Sequence, residues 1–126
     1  MKKGFLMVCA ILSNMLLASL TYAQELTGKW QGELVVGQQL VPIIFNVTSK
    51  EGNLSATMDS PLQGATGIPV ESVEVRQNSV TFDIKVAGAR YVAELKNDAL
   101  FGKWKQSGQE FELAMSKGNK TPIKKK

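Results

Sequence analysis

The sequence predicts an all-β protein: a single eight-stranded antiparallel up-and-down barrel that follows an N-terminal signal peptide. Apolar and polar residues alternate along most of the chain past Gln24, and short turn signals separate the alternating runs. No ten-residue stretch beyond that point has convincing helical periodicity. Period-two alternation over four to eight residues indicates half-buried strands, and short turns make consecutive strands antiparallel neighbours.

Eight alternating runs supply the strands. In the clearest, Val80, Phe82, Ile84 and Val86 alternate with polar residues. The other runs cover 29–34, 41–47, 54–58, 68–75, 91–95, 100–104 and 111–115. The turn signals are Gly37-Gln38, 50–53, Gln77-Asn78, Ala87-Gly88, Asn97-Asp98 and Ser107-Gly108. The apolar phase of 68–75 slips between Val70 and Val73, which predicts a bulge or a bend there.

Closure into a barrel follows from the strand count, because closure removes exposed sheet edges. A two-sheet sandwich is the alternative. Pro42 and Pro69 lack a backbone N–H, so each is expected at a bulge, a strand start or an unpaired edge. An eight-stranded barrel is just wide enough to be filled by side chains or to hold one small ligand. The inward aromatic residues could fill it.

The N-terminus has the pattern of a secretory signal: a basic start at Lys2-Lys3, an apolar run and small residues at Thr21 and Ala23. We expect cleavage after Ala23, with the product periplasmic or secreted. The alternative is an uncleaved membrane anchor, since the apolar run approaches spanning length. The expected organisation is a signal peptide at 1–23, a barrel domain at 24–116 and a basic, flexible tail at 117–126.

Composition removes several kinds of catalytic site. The chain contains no His, and its single Cys9 lies within the signal peptide. The mature chain therefore cannot carry a Ser-His-Asp triad, a Cys nucleophile or a typical zinc site. We expect no metal and no cofactor. Mature residues include 13 Lys and Arg against 11 Asp and Glu, and three of the positive charges are the terminal residues 124–126, so the charge does not predict nucleic-acid binding.

Carboxylates are the chemistry that remains, and a glycosidase needs two of them across a cleft. The candidates are Asp59, Glu71, Glu74, Asp83, Glu94, Asp98, Glu110 and Glu112. Most alternate outward from apolar neighbours, which favours solvated strand faces. The sequence therefore predicts a protein that is not an enzyme.

One connection departs from the simple meander. The stretch 59–70 is the longest link between strands, and Pro61, Gly64 and Gly67 shape it. Glycines permit positive φ, and Asp and Ser side chains can bond backbone N–H groups in a turn. Two interpretations stay open: an ordered binding loop at the mouth of the barrel, or a structural corner. The binding hypothesis names Asp59, Ser60, Gln63, Gly64 and Gly67.

A short repeat links the two ends of the domain. Gly28-Lys29-Trp30-Gln31 matches Gly102-Lys103-Trp104-Lys105. The first copy is similar to the Gly-x-Trp that opens lipocalins, whose indole packs across the closed end of the barrel. That resemblance implies a lipocalin-like barrel shape in which Trp30 and Trp104 pack at the barrel ends.

A second resemblance covers most of the mature chain, about 26–116. The segments 28–32, 58–70 and 102–111 resemble the N-terminal β-domain that precedes the catalytic domain in many secreted α/β-hydrolases of Bacteroidetes. The catalytic domain of those enzymes, with its nucleophile elbow and histidine, has no counterpart in this sequence. The resemblance therefore implies the fold and the export of an accessory domain and does not imply hydrolase activity.

The sequence leaves several functions open. The leading hypothesis is an exported binding or interaction module whose partner is a small apolar ligand or a secreted enzyme. The alternative is a small carboxylate-based enzyme or a subunit that completes a separately encoded hydrolase. Inhibition of a secreted protease is a third possibility, and it rests on fold analogy alone.

Overall fold

The structure, a computed structural model, describes residues 24–118. The expected signal peptide at 1–23 and most of the expected tail, at 119–126, lie outside the described residues. The described chain is all-β apart from three-residue helical turns. The antiparallel, barrel-like architecture that the alternation predicts is therefore confirmed.

Within residues 24–118, nine strands form one antiparallel sheet. In chain order they are β1 Gly28–Val36, β2 Gln39–Lys50, β3 Asn53–Ser60, β4 Ala65–Val70, β5 Ser72–Arg76, β6 Ser79–Ile84, β7 Ala89–Lys96, β8 Ala99–Gln106 and β9 Gln109–Lys117. Two 3₁₀ turns interrupt the meander, η1 at Pro61–Gln63 and η2 at Lys85–Ala87. The strand order across the sheet is β4-β3-β2-β1-β9-β8-β7-β6-β5, so the first and last strands of the domain are paired near its middle.

The predicted strand count of eight is wrong, because the run 68–75 is two strands. Its first half belongs to β4, which pairs with β3, and its second half forms β5, which pairs with β6. Glu71 separates the halves, and its N–H donates to the Asp83 carbonyl at 2.7 Å. The phase slip in the sequence thus marks a bend at which the chain leaves one edge of the sheet for the other. β3 contacts β5 and β4 contacts β6, so the sheet is nearly closed.

The sequence also predicts Val86 on the inward face of the strand at 80–86, and this is wrong. β6 ends at Ile84, and Val86 lies in η2 with 70% of its surface exposed. The chain turns here because Gly88 adopts a left-handed conformation with φ +62° and its N–H donates to the Lys85 carbonyl at 3.0 Å. The residues before it, Val80, Phe82 and Ile84, are fully buried as predicted.

A stack of aromatic rings occupies the interior of the sheet. The Phe45 and Phe82 rings are nearly parallel, with centroids 4.3 Å apart, and the Tyr91 ring lies about equally far from both, at 6.0 and 5.9 Å. All three residues are fully buried. The Tyr91 hydroxyl donates to the Leu113 carbonyl at 2.7 Å, which satisfies the one polar atom in the stack. Apolar contact with offset rings of this kind stabilises a core beyond simple area burial.

The two tryptophans close opposite ends of the barrel. The Trp30 Nε1–H donates to the Leu26 carbonyl at 2.8 Å, so the short N-terminal segment lies over this end. The Lys117 ammonium sits 5.9 Å from the centroid of the Trp30 ring and donates to the Glu25 carbonyl. Lys117 therefore belongs to β9 and to the packing of this end, although the sequence analysis placed it in the tail.

Trp104 lies toward the other end, near the end of β8. Its Nε1–H donates to the Gln106 Oε1 at 3.1 Å, and the Gln106 amide donates in turn to the Ala87 carbonyl at 2.8 Å. This relay connects the core to η2. The structure thus places the two Gly-x-Trp segments at different ends of the molecule.

The glycine of the second segment permits close packing of two strands. A Cβ on Gly102 would lie 2.0 Å from the Val92 carbonyl oxygen and 2.5 Å from the Ala93 Cα. These are backbone atoms of β7, so the strands would have to separate.

We expect Gly102→Ala to destabilise the fold by about 3 kcal/mol, at the upper end of the usual overpacking cost. Urea unfolding followed by tryptophan fluorescence measures the effect. The matched control is Gly88→Asn, because nothing lies within 4 Å of the added Cβ and Asn tolerates the left-handed region, at a cost of about 1 kcal/mol or less. Equal effects of the two substitutions would show that β7 and β8 are not packed this closely.

Tyr91 gives a second test of the core. Burial raises the pKa of the Tyr91 hydroxyl above its ordinary value of 10.0. The unfolded chain releases this proton near pH 10 and the folded chain retains it, so the free energy of unfolding should fall as the pH rises above 10. Tyr91 is the only tyrosine after Ala23, so ultraviolet absorbance of a protein that begins at Gln24 reports on it alone. We expect ionisation to coincide with unfolding. A smooth titration near pH 10 with the fold intact would contradict the buried position.

Candidate functional site

The stretch that the sequence singles out, 59–70, includes the strand β4, and its loop, 59–67, lies where β3 ends and β4 begins. Its centre is η1, with Pro61 at the first helical position. Gly64 then takes a left-handed conformation, φ +66° and ψ +23°, and its N–H donates to the Pro61 carbonyl at 3.0 Å. Pro fixes the start of this turn, because its ring presets the helical φ. Glycine fixes the end, because it adopts a left-handed φ without steric cost. The exposed residues Leu62 and Gln63 are thereby held outward.

Asp59 fastens the loop. The pairing of β3 with β4 shifts register between Met58 and Ser60, so Asp59 lies opposite two residues of β4, Thr66 and Gly67, as in a β-bulge of the β4 strand. Its carboxylate accepts two hydrogen bonds, from the Gly67 N–H at 2.8 Å and from the Asn46 side-chain amide at 3.1 Å. The side chain thus ties both ends of the loop to β2.

Ser60 faces the other way. It continues the inward series of Ala56 and Met58, and only 1% of its surface is exposed. Its hydroxyl has no hydrogen-bond partner among the described residues. The five predicted binding residues therefore lie in three different environments. Gln63, Gly64 and Gly67 are exposed on the loop, Asp59 braces it, and Ser60 points into the interior.

A second loop of the same design lies beside the first, and the sequence analysis missed it. In η2, Gly88 has the φ of Gly64, and its N–H closes the turn in the same way. The two loops are 24 residues apart, and at that offset Asp59, Gly64 and Ala65 align with Asp83, Gly88 and Ala89. This short internal repeat is the signal that could have found it. The apolar alternation that precedes this loop extended the predicted strand to Val86, so the second loop was not predicted.

The carboxylates proposed for catalysis are dispersed over the described surface. Glu71, Glu74, Glu94, Asp98, Glu110 and Glu112 are exposed, and Asp59 and Asp83 are half-buried. Asp83 lies 3.5 Å from the Arg90 guanidinium, and Glu110 lies within 4 Å of Lys103 and Lys105. The geometry thus assigns the better-placed carboxylates to loop bracing and ion pairing.

Residues 24–118 contain no group of three or more His, Cys, Asp or Glu side chains that could hold a metal ion.

The same residues include no helix that is long and apolar enough to cross a membrane.

Comparison with known proteins gives no relative from which a function could be transferred. No protein-family model, no curated protein and no solved structure matches the chain.

The bracing role of Asp59 is testable. Asp59→Ala removes both acceptors, so we expect a loss of about 1–2 kcal/mol in the free energy of unfolding and faster hydrogen exchange at the Gly67 amide. Glu74→Ala, on an exposed carboxylate of β5, is the control and should change stability by no more than about 0.5 kcal/mol. Unchanged exchange at Gly67 in Asp59→Ala would mean that the loop holds its shape without the carboxylate.

Proposed function

We propose that this chain is an exported, non-catalytic contact module that binds a partner protein through the loop 59–67. The observation that carries the proposal is the way this loop is built. It is exposed at its tip, yet its base is fixed by Asp59 and its turn by Gly64. A loop that is already ordered loses little conformational entropy on binding, which is the usual advantage of preorganised binding surfaces.

The packed interior supports contact on the outer surface over storage of a ligand inside. Phe45, Phe82 and Tyr91 stack where a lipocalin-like barrel would hold its ligand, and Trp30 and Trp104 are buried toward the two ends. A barrel of this size has room for its own side chains or for one small ligand. The small apolar ligand is therefore the weaker of the two partners that the sequence suggests.

The resemblance to an accessory domain of secreted hydrolases favours an exported enzyme as the partner. The proposal assigns a contact role of this kind to the present barrel. The signal-peptide pattern at 1–23 supports an exported location. The lipocalin-like shape and the hydrolase resemblance remain predictions from the sequence motifs.

Site-specific photocrosslinking tests the proposal. We expect p-benzoylphenylalanine at Gln63, in protein expressed and exported by its own host cell, to give one discrete protein adduct on irradiation. Lys96, exposed at the opposite end of the molecule, is the control position and should give none. Combining the Gln63 probe with Asp59→Ala should weaken the adduct, because the loop is then no longer held in its binding shape.

Equal labelling from Gln63 and Lys96, or no adduct from Gln63 at all, would contradict a contact function for this loop. An adduct that survives Asp59→Ala unchanged would contradict the argument from preorganisation.

A further inference from the structure

All the large hydrophobic side chains that are strongly exposed in the described chain lie at one end of the barrel. Neighbouring strands of the sheet are antiparallel, so every second strand in the order across the sheet runs in the same direction. One such set is β1, β3, β6 and β8. The connections that follow them therefore share one end. Three of these connections carry Val35, Val36, Leu40, Leu62 and Val86, with exposed fractions of 57%, 40%, 53%, 52% and 70%. We call these five residues the apolar rim.

The other end of the barrel is polar. Its turns are Glu51–Gly52, Gln77–Asn78 and Asn97–Asp98, and no strongly exposed large hydrophobic residue occurs there within residues 24–118. Single exposed aliphatic residues are normal on any protein and need no explanation. Five of them confined to one end indicate an interaction surface.

The elements that carry the rim contact one another around part of this end. The hairpin of β1 and β2 carries Val35 opposite Leu40 as a cross-strand pair. η1 contacts β2, and β4 contacts both η1 and η2, so the turns that carry Leu62 and Val86 both pack against β4. The two 3₁₀ turns have equivalent backbone geometry, and each presents its second residue to solvent. The surface is therefore built from fixed turns and a paired hairpin.

The charge of the rim is distinctive as well. In the segments 35–40, 61–64 and 85–88, Lys85 is the one charged side chain. It is exposed and forms no ion pair with any residue of 24–118. The nearby Asp83 carboxylate lies against Arg90 instead. An exposed cation beside aliphatic side chains complements a partner that presents a carboxylate next to apolar residues.

The size of the rim indicates what kind of partner it fits. Five partly exposed aliphatic side chains amount to a few hundred Å² of apolar surface, whereas a stable interface buries about 800 Å² on each partner. A self-associating pair would also bring two Lys85 side chains to one interface. The rim contains no Trp or Tyr of the kind that anchors proteins at membrane interfaces. These features favour a short protein segment over a second copy or a lipid surface.

We propose that the apolar rim binds a short apolar segment of another protein, and that an acidic side chain of this segment pairs with Lys85. This inference rests on the proposed contact function and names the chemistry of the partner. Burial of the rim side chains supplies the affinity, and Lys85 sets the orientation of the segment.

Peptide display tests the charge directly. We expect random dodecapeptides selected on the immobilised exported protein to be rich in Leu, Ile or Phe and to contain Asp or Glu. On Lys85→Glu, the same library should yield Lys or Arg in place of the acids, and an acidic peptide from the first selection should bind roughly tenfold more weakly. Lys96→Glu, at the polar end, should leave both results unchanged.

The double variant Leu62→Ser, Val86→Ser removes apolar surface and should abolish selection. Both residues are exposed, so an unchanged urea midpoint shows that the variant folds. Peptides without an acidic bias, or with the same bias on Lys85→Glu, would overturn the proposal. A lipid surface or a second copy as the occupant would also overturn the proposal. In either case peptides would fail to bind, and the double variant would abolish binding to phosphatidylglycerol vesicles or a self-association seen by sedimentation.

The two proposals can fail separately. If photocrosslinking from Gln63 captures a partner and that adduct is unaffected by Lys85→Glu and by Val86→Ser, the contact function stands and the rim proposal is wrong. If neither crosslinking nor display gives a product, both are wrong.

Discussion

The stack of Phe45, Phe82 and Tyr91 is the contact on which the rest of this structure depends. The rings come from β2, β6 and β7, and β2 is not paired with either of the other two strands. Their contact therefore joins two parts of the sheet that are not directly hydrogen-bonded to each other. Buried aromatic side chains of this size dominate the energetics of a small core. Because they occupy the interior, the proposed recognition takes place on the outside of the molecule.

Near-closure of the sheet depends on one bend in the chain. β4 and β5 are the two edges of the sheet, yet only Glu71 separates them along the chain. The segment 65–76 thus forms both edge strands, because it pairs with β3 at its start and with β6 at its end. Exposed strand edges invite pairing with other chains, and in this arrangement the two edges lie near each other, since β3 contacts β5 and β4 contacts β6. The proposed binding features lie on the connections at one end instead.

Much of the fold was predictable from local pattern. Alternation identified every strand region, and the turn residues located the hairpins, because one face of each strand must be buried and the other solvated. The same rule could not distinguish one bent strand from two strands at Glu71, since pairing partners are a tertiary property. It also included Val86 in the core face. A single left-handed glycine, Gly88, ended that strand two residues early, at Ile84, and alternation does not register backbone conformation.

The candidate site was predictable only in part, for a related reason. A turn with a defined shape was predictable at 59–67, because residue types with strong turn preferences occur there. These include Asp59, Gln63, Gly64 and Gly67. Val35, Leu40 and Leu62 looked like ordinary strand or loop aliphatics in the sequence. Their grouping at one end arises from strand direction around the sheet, which fixes where connections meet. The polar character of the opposite end became meaningful only by this comparison.

The central claim is that the interior belongs to the protein's own side chains and that partners bind outside it. Native mass spectrometry of the protein isolated from the exported fraction of its host cell tests this most directly. The account predicts the mass of the polypeptide without a small molecule. A stoichiometric apolar compound that stays bound in the folded protein and leaves when Phe45, Phe82 and Tyr91 are exposed by unfolding would contradict it.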